Sequence, residues 1–528
     1  MAILGWSMRH RWAVVVACVA ALASVPTLGK KAGFGFLPEN DEAHFEIFLT
    51  AKEGTSIDAT VLAAERIARA TRKIPGVTHT LVTLGDDDQK RTNTAKVYVR
   101  LTSPDQRTQS QAEVMDEVRR KVLVDLPDGA RAAAQLVNDF SIGGKNAMVM
   151  YVITGPDLDR LETYGKRMFD AMKKVPGVVD AETSVTPPAP EATLRPDFDR
   201  AAALGVDPGD VAATLRLLVG GIDTSKYEEK GEQYDVFLRA EERFRNDPSA
   251  LSLLTVPSRT LGSVPLSDVI KVDESAGPAQ INRLNRSRQV MLTCNVKPGF
   301  DQGSIDAAIL KAASELDLPA GYQVTPFGQS RELERTKNAF LFAFLMSFVF
   351  MYLVLAAQFE SWLHPFTIML ALPLTLPFAF LSVVMFGQQL NIFSMLGLLV
   401  LFGVVKKNSI LQIDQANQLR AQGMPRNEAI LEANRHRLRP ILMTTLAFVA
   451  GMIPLVFSTG IGAGFSKAMA SIVVGGQSLS LLLTLLATPV IYSLFDDAGA
   501  WVKRVVRGRD QKSPLDRGET DIDQLAAA

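Results

Sequence analysis

Met395–Asp414 reads MLGLLVLFGVVKKNSILQID. From Met395 to Val405 nothing is charged. Lys406 and Lys407 then break the run, and Ile410–Ile413 resumes it. Extended back to Ile392, the stretch Ile392–Ile413 is long enough to cross a bilayer, which takes ~20 mostly apolar residues. Four similar stretches lie around it: Ala339–Ala357, Phe366–Phe386, Ile441–Phe457 and Met469–Phe495. Trp12–Leu28 qualifies narrowly. Between this first span and the second lie about 300 residues of ordinary soluble composition, room for two or more domains. The expected architecture is one helix at 12–28, a large soluble region, five helices within 339–495, and a tail at 496–528. In fold class this is an α-helical membrane bundle of six transmembrane helices with a large α+β domain on one side.

Composition excludes several functions. The 528 residues carry 56 basic and 56 acidic side chains. That balance argues against a nucleic-acid binder driven by phosphate neutralisation and against an acidic disordered chain. Cys18 and Cys294 cannot build a disulfide scaffold. Five scattered histidines show no metal-ligand spacing, so neither a metal nor a cofactor is expected. No nucleophile elbow, phosphate loop or zinc-binding helix appears, and the chain is not read as an enzyme. Asp86-Asp87-Asp88 reads as a solvated turn, since calcium needs six or more oxygens at set spacing. Phe34 and Phe36 have several aromatic companions, and the sequence does not say which of them line a pocket.

Orientation follows from the basic residues in short loops. The region after the fourth span holds Arg420, Arg426, Arg435, Arg437 and Arg439. The tail adds Lys503, Arg504, Arg507 and Arg509, and the start adds Arg9 and Arg11. The opposite loops, Gly387–Asn391 and Ser458–Ala468, carry only Lys467. Both termini are therefore expected in the cytoplasm and the large domain on the far side, the periplasm of a bacterium. Arg9, Arg11, the apolar run and Ala21-Leu22-Ala23 also resemble a signal peptide with its cleavage site. The run continues past that site and five spans follow, which favours a retained helix. Either reading exports the large domain.

The soluble region contains a repeat. Ile74-Pro75-Gly76-Val77 recurs as Val175-Pro176-Gly177-Val178, 101 positions later from Gly76 to Gly177. Pro-Gly is a helix-stop signal, and each copy joins a helical pattern to a strand-like run. The first unit reads strand His44–Thr50, helix Ile57–Lys73, strand Val77–Leu84. The second reads strand Ala147–Thr154, helix Leu158–Lys174, strand Val178–Val185. Two further strand–helix pieces follow, Ala95–Leu101 with Gln109–Val124, and Gln289–Val296 with Ser304–Leu316, the latter closing on Tyr322–Pro326. This grammar predicts ferredoxin-like βαβ subdomains. One covers 42–134. A second, discontinuous one covers 145–186 and 280–328. A third subdomain is inserted at 187–279. A single irregular α+β domain is the plainer alternative, and the repeated Pro-Gly turn favours subdomains.

The two lysines carry the chemistry. A lysine at bilayer depth costs about 2.5–3.5 kcal/mol on insertion scales. One reading is ion-coupled transport, with a buried ammonium facing an acid that gains and loses a proton. The other is that the helix ends at Val405 and both lysines snorkel. Asp414 lies about 10 Å along the axis from Lys407 and is not its partner. No Asp or Glu lies in the interior of any span, so a proton relay is incomplete within this chain. Pro440 suits the start of the fifth helix. Thr444, seven residues after Arg437, shares roughly its face if the helix already runs there. A threonine bonding back to an earlier carbonyl is the plainer alternative. Gly451, Gly475 and Gly476 permit close helix packing, and Pro373, Pro377, Pro454 and Pro489 permit kinks.

These residues resemble the C-terminal half of the inner-membrane subunit of resistance-nodulation-division efflux pumps, hydrophobe/amphiphile branch. Phe36-Leu37-Pro38-Glu39-Asn40-Asp41 is similar to the family segment after its seventh helix. Tyr352–Trp362, ending Gln358-Phe359-Glu360-Ser361-Trp362, is close to the family's most recognisable run. Lys407-Asn408 resembles its tenth-helix pair, and Arg439-Pro440-Ile441-Leu442-Met443-Thr444 the start of its eleventh. The resemblance implies two porter subdomains (42–134; 145–186 with 280–328) and a docking subdomain (187–279). It implies a proton relay using Lys407 with Thr444 and Arg437 in support. It further implies a multidrug efflux pump working as a trimer of full pumps, with a periplasmic adaptor protein, an outer-membrane channel and small amphiphilic substrates. Family pumps are about twice this length, and the aspartate pair of the relay belongs to the other half. An N-terminal half-pump carrying that Asp pair is therefore the expected partner, unless the chain is a fragment. The short polar link Gly85–Thr94, where multidrug members tend to have a longer loop, and the extra charge of Lys406 depart from the pattern. A protein-export half-transporter and a non-transporting scaffold or sensor remain as alternatives.

Overall fold

The computed structural model describes residues 2–86, 90–137, 147–186, 188–245, 253–278 and 280–510. The chain begins with α1 (Ala2–Arg9), α2 (Arg11–Ala23) and α3 (Val25–Ala32). The last two form the first apolar span, Arg11–Ala32, which runs beyond the expected 12–28. Pro26 is tolerated because it stands in the first turn of α3, where its missing N–H has no intrahelical partner to lose.

The first sheet is built from β1 (His44–Thr50), α4 (Ile57–Thr71), β2 (Val77–Leu84), β3 (Thr94–Leu101), α5 (Gln111–Lys121) and β4 (Arg131–Leu136). Its strand order is β2-β3-β1-β4, with every neighbour antiparallel. Alternation on β1 buries Phe45, Ile47 and Leu49, and on β3 Ala95, Val97, Val99 and Leu101. These meet Ala64, Ile67 and Ala68 of α4 and Val114 and Val118 of α5 in one core. Helical period on one side and strand period on the other place both apolar faces in the same layer. β4 is absent from the sequence expectations. Its residues, RAAAQL, lack the β-branched and aromatic side chains that mark strands, and pairing of Phe45–Thr50 with Leu136–Arg131 makes it one.

The second sheet begins with β5 (Val149–Gly155), α6 (Leu158–Lys173) and β6 (Val178–Thr183). Gly76 and Gly177 both have φ near +90°, and Val77 and Val178 donate their N–H to the carbonyls of Ile74 and Val175. The repeated Pro-Gly is therefore the same turn twice, with Gly supplying the positive φ.

A separate compact unit comprises Thr186–Ile281 with Lys52–Ser56. It contains β7 (Ala189–Pro196), α7 (Phe198–Ala203), α8 (Pro208–Leu215), β8 (Ile222–Glu229), β9 (Glu232–Leu238), β10 (Thr255–Ser258), β11 (Gly262–Pro265) and β12 (Ile270–Gly277). β7 pairs with β12, β8 with β9 and β10 with β11, all antiparallel. Val211, Val256, Leu266 and Val269 centre its core. The β8–β9 hairpin is exposed along nearly its whole length, including Tyr227, Tyr234 and Phe237.

The second sheet is completed by β13 (Arg283–Leu284), β14 (Ser287–Val296), α9 (Gln302–Ser314) and β15 (Gln323–Pro326). β6 pairs with β14, β14 with β5 and β5 with β15, while β13 adds a short rung to β14. Counting each sheet's four main strands along the chain, both have the order 2-3-1-4.

The bundle follows as α10 (Gly328–Phe359), α11 (Leu363–Met369), α12 (Leu376–Met385), α13 (Ile392–Ala421), α14 (Arg426–Val456) and α15 (Ala463–Asp510). Among the described residues six helices or helix pairs are long and apolar enough to cross a membrane. One open choice is decided here and two sequence expectations need correction. α13 runs through both lysines, so of the two readings left open the helix ending at Val405 is the one set aside. α14 begins at Arg426, so Pro440 lies inside it, and Arg426, Arg435, Arg437 and Arg439 are helical residues rather than a loop. Finally, a Cβ on Gly451 would meet nothing within 4 Å, so no neighbour packs closely there. Gly475 and Gly476 do admit neighbours: a Cβ would fall 1.9 Å from that of Ser382 and 2.3 Å from Leu401 Cδ2.

Candidate functional site

α13 is the element that positions the lysines. Asn391 caps it, accepting from the N–H groups of Phe393 and Ser394, while Ser394 Oγ takes the Asn391 N–H at 2.6 Å. This reciprocal cap satisfies donors that a helix end leaves open. Lys407 lies about 22 Å along the axis from Ile392. It is exposed and, among the described residues, joins no hydrogen bond or ion pair. Leu396 and Gly403 are exposed on the same stripe, as their spacings of eleven and four from Lys407 dictate.

The opposite face is buried and polar. Asn408 and Ser409 are buried, and Ser409 Oγ lies 3.0 Å from Thr488 Oγ1 of α15. Gln412 is 3% exposed, and neither atom of its amide has a partner among the described residues. Lys406 faces a third direction. With Ser347, Gln358, Ile410 and Asp414 it lines a groove of about 640 Å³ between α10 and α13.

The three residues expected to form a relay are not joined by any hydrogen bond in the described structure. Thr444 is exposed and donates to the Ile441 carbonyl at 3.2 Å, the plainer of its two expected roles. Arg437 is half-buried, and its Nε is buried without a partner among the described residues. The buried threonine of the pair is Thr445, which receives Gln477 Nε2 at 3.5 Å. Sequence reasoning missed this seam on α15. A signal was present: Gln477, Ser480, Thr484 and Thr488 recur at helical spacing through an otherwise apolar span.

The expected motifs prove to be mechanical. Phe36 donates its N–H to Gln302 Oε1 at 3.0 Å, and Gly464 donates to Asn40 Oδ1 at 3.3 Å. Asp41 accepts from Gln111 N at 2.9 Å and pairs with Arg107. Phe36–Asp41 thus straps α5, α9 and α15 together between α3 and β1. Gln358–Trp362 is the turn from α10 to α11, with Glu360 left-handed at φ +47° and Tyr352 OH donating to the Trp362 carbonyl. At one end of the bundle, Arg11 pairs with Asp497 at 2.7 Å. Arg420 and Arg426 both reach Asp496 at 3.3 Å. The arginines read as orientation signals therefore also tie α2, α13, α14 and α15.

A cavity of about 140 Å³ opens beside the strap. Leu37, Val296, Phe300 and Phe465 supply apolar wall, and Gln302, Gln329 and Gln389 supply amides. Phe36 is not among its lining residues. Asp86 of the acidic triplet pairs with Lys96 at 2.6 Å, while Asp87 and Asp88 lie outside the described residues. No group of three or more metal-ligating side chains occurs among the described residues.

The sequence signature of the AcrB/AcrD/AcrF family matches residues 1–496. Multidrug resistance protein MdtC of Erwinia tasmaniensis is 30% identical over 497 residues, 93% of this chain and 48% of that protein. Two crystal forms of a heavy metal efflux pump superimpose with TM-scores of 0.83 and 0.81 at 25% identity. They cover 94% and 91% of this chain and 53% and 50% of theirs. The chain thus spans about half the length of the relatives it matches.

Proposed function

Because the chain belongs to the AcrB/AcrD/AcrF family of resistance-nodulation-division proteins, we propose that it is one half of a proton-coupled exporter. The observation that carries this reading is Lys407: an ammonium deep along an apolar helix, exposed and unpaired among the described residues. Intramembrane cations face bundle interiors and pair there. The missing carboxylates belong to an N-terminal half-pump with an Asp pair in one span. Protonating one of them would release Lys407, and Thr444 and Arg437 would shift with it as supporting polar groups.

In this reading the six apolar helices cross the bacterial inner membrane with both termini in the cytoplasm. The two 2-3-1-4 sheets are ferredoxin-like porter subdomains, and Thr186–Ile281 is the docking subdomain. Full pumps form trimers and engage a periplasmic adaptor and an outer-membrane channel. The cavity, whose apolar wall and amides are joined by the charged Glu39, Glu42 and Lys297, is the place assigned to a small amphiphile in this reading. The relatives' printed names divide between multidrug and heavy-metal export.

The test is gentle purification of the tagged chain from its native membrane, with efflux of a fluorescent amphiphile measured in the same cells. A second six-helix chain carrying paired aspartates should accompany it, and Lys407→Ala should abolish efflux at unchanged abundance. Recovery alone, with Lys407→Ala silent, would sink the exporter reading.

A further inference from the structure

The Lys407 reading leaves one buried acid unexplained. Asp306 lies on α9, outside the membrane spans, and is 8% exposed. Its Oδ1 accepts from Tyr151 OH of β5 at 3.0 Å and from Ser330 Oγ, in the first turn of α10, at 2.9 Å. Ser330 Oγ in turn accepts the Met150 N–H at 3.1 Å, and Phe327 donates its N–H to the Met150 carbonyl at 2.9 Å. One carboxyl oxygen therefore fastens α9, β5 and the start of a 32-residue membrane helix to one another. Its other oxygen, Oδ2, is buried with no partner among the described residues.

That asymmetry has a chemical meaning. A carboxylate buried beside two neutral donors, with one oxygen bare, is poorly solvated, whereas the neutral acid carries no charge to solvate. The titratable groups around it are few. Tyr151 stands on β5, Cys294 on β14, and Glu334 and Lys337 on α10. The Lys337 ammonium lies over the Phe34 ring, 4.7 Å from its centre, in the segment leading from α3 to β1.

We infer that Asp306 is a proton-binding site at the joint between the second sheet subdomain and α10, protonated when the joint is closed and loosening it on ionisation. The ionised carboxylate would demand a donor for Oδ2, either water admitted to the joint or Lys337 drawn from Phe34. Burial pushes the carboxyl up to about 6, against hydrogen bonds from Ser330 and Tyr151 and the charge of Lys337, which lower it. The joint therefore titrates between mildly acidic and neutral pH. This inference does not rest on the exporter reading, since it concerns groups within this chain alone.

The test compares the full chain with Asp306→Asn in lipid nanodiscs, which keeps the side chain's shape and stays neutral. From pH 4.5 to 7.5 the wild-type Tm should fall by several degrees while the variant's stays level and ends the higher. Amide exchange in β5, α9 and the first turn of α10 should quicken with pH in the wild type only. Equal pH slopes for the two chains, or exchange insensitive to pH, would overturn the proposal. Should the variant fail to fold, infrared difference spectra of the wild type decide. A buried protonated-carboxyl band lost across this range supports the site, and its absence at pH 4.5 refutes it.

Discussion

The two sheet subdomains share a strand order but bury different chemistry at matching positions. Ile47 is the middle inward residue of β1, between Phe45 and Leu49, and Tyr151 is the middle one of β5, between Val149 and Ile153. Met115 stands five residues after the cap Ser110, and Asp306 five after the cap Asp301. An apolar pair in the first subdomain is thus a phenol–carboxyl pair in the second. The first subdomain does bury an acid, Glu46, but Lys96 Nζ lies 3.4 Å from it and 2.6 Å from Asp86. Burial works against that ammonium, while hydrogen bonding to Asp86 and the charges of both acids hold its pKa above the usual lysine value. The difference follows position in the chain. The second subdomain continues directly into α10, whereas the first ends without a membrane helix of its own.

The largest expected effect lies where the two subdomains meet. Arg119 of α5 reaches Asp180 of β6 at 2.7 Å, with Asp180 only 7% exposed at its side chain. Arg119→Ala should cost about 3–5 kcal/mol, because it leaves a buried charge uncompensated. Denaturant unfolding of the purified chain measures this, and a loss under 1 kcal/mol would mean that the pair is solvated and the subdomains are independently held.

Next comes the contrast in buried acids. In the wild type, Asp306 contributes stability that is complete below the unfolded carboxyl value of 3.8 and is lost as pH rises through about 6. That loss is on the order of 3 kcal/mol at most. Lys96→Met should act in the same direction in the first subdomain but by less, about 1–2 kcal/mol at pH 7. Denaturant unfolding measures the deficit, and its absence would show that Glu46 does not depend on Lys96.

The smallest effects separate the helix caps. Ser110→Ala breaks a capping box on α5 and should cost about 1 kcal/mol. Asp301→Ala on α9 should cost somewhat more, because Asp301 accepts from both Ser304 N at 2.8 Å and Phe34 N at 3.3 Å. Equal losses in thermal unfolding would mean that the Phe34–Asp301 contact adds nothing.

Much of the scaffold was readable in advance. His44–Thr50 and Val77–Leu84 were placed to the residue, because alternation and a Pro-Gly stop are local signals. β4 was not, since RAAAQL becomes a strand only by pairing with β1. The candidate site was legible in part. Lys407 was singled out as a charge inside an apolar run. Which threonine is buried was not legible, because adjacent residues on a helix point about 100° apart, and only the place of α15 decides between Thr444 and Thr445.

The sequence alone determined where apolar helices form, how the two sheets alternate strand and helix, and to which family the chain belongs. All three depend on periodicities and motifs within a few tens of residues. Only the tertiary structure decided which charges are paired, which lie open and which acid is buried. Asp306, Tyr151 and Ser330 are separated by 24 to 179 positions in the chain. Nothing in α9 taken by itself excludes water from its carboxyl. That exclusion comes from β5 and the first turn of α10 closing over it, and burial by such distant neighbours is what sets a carboxyl's proton affinity.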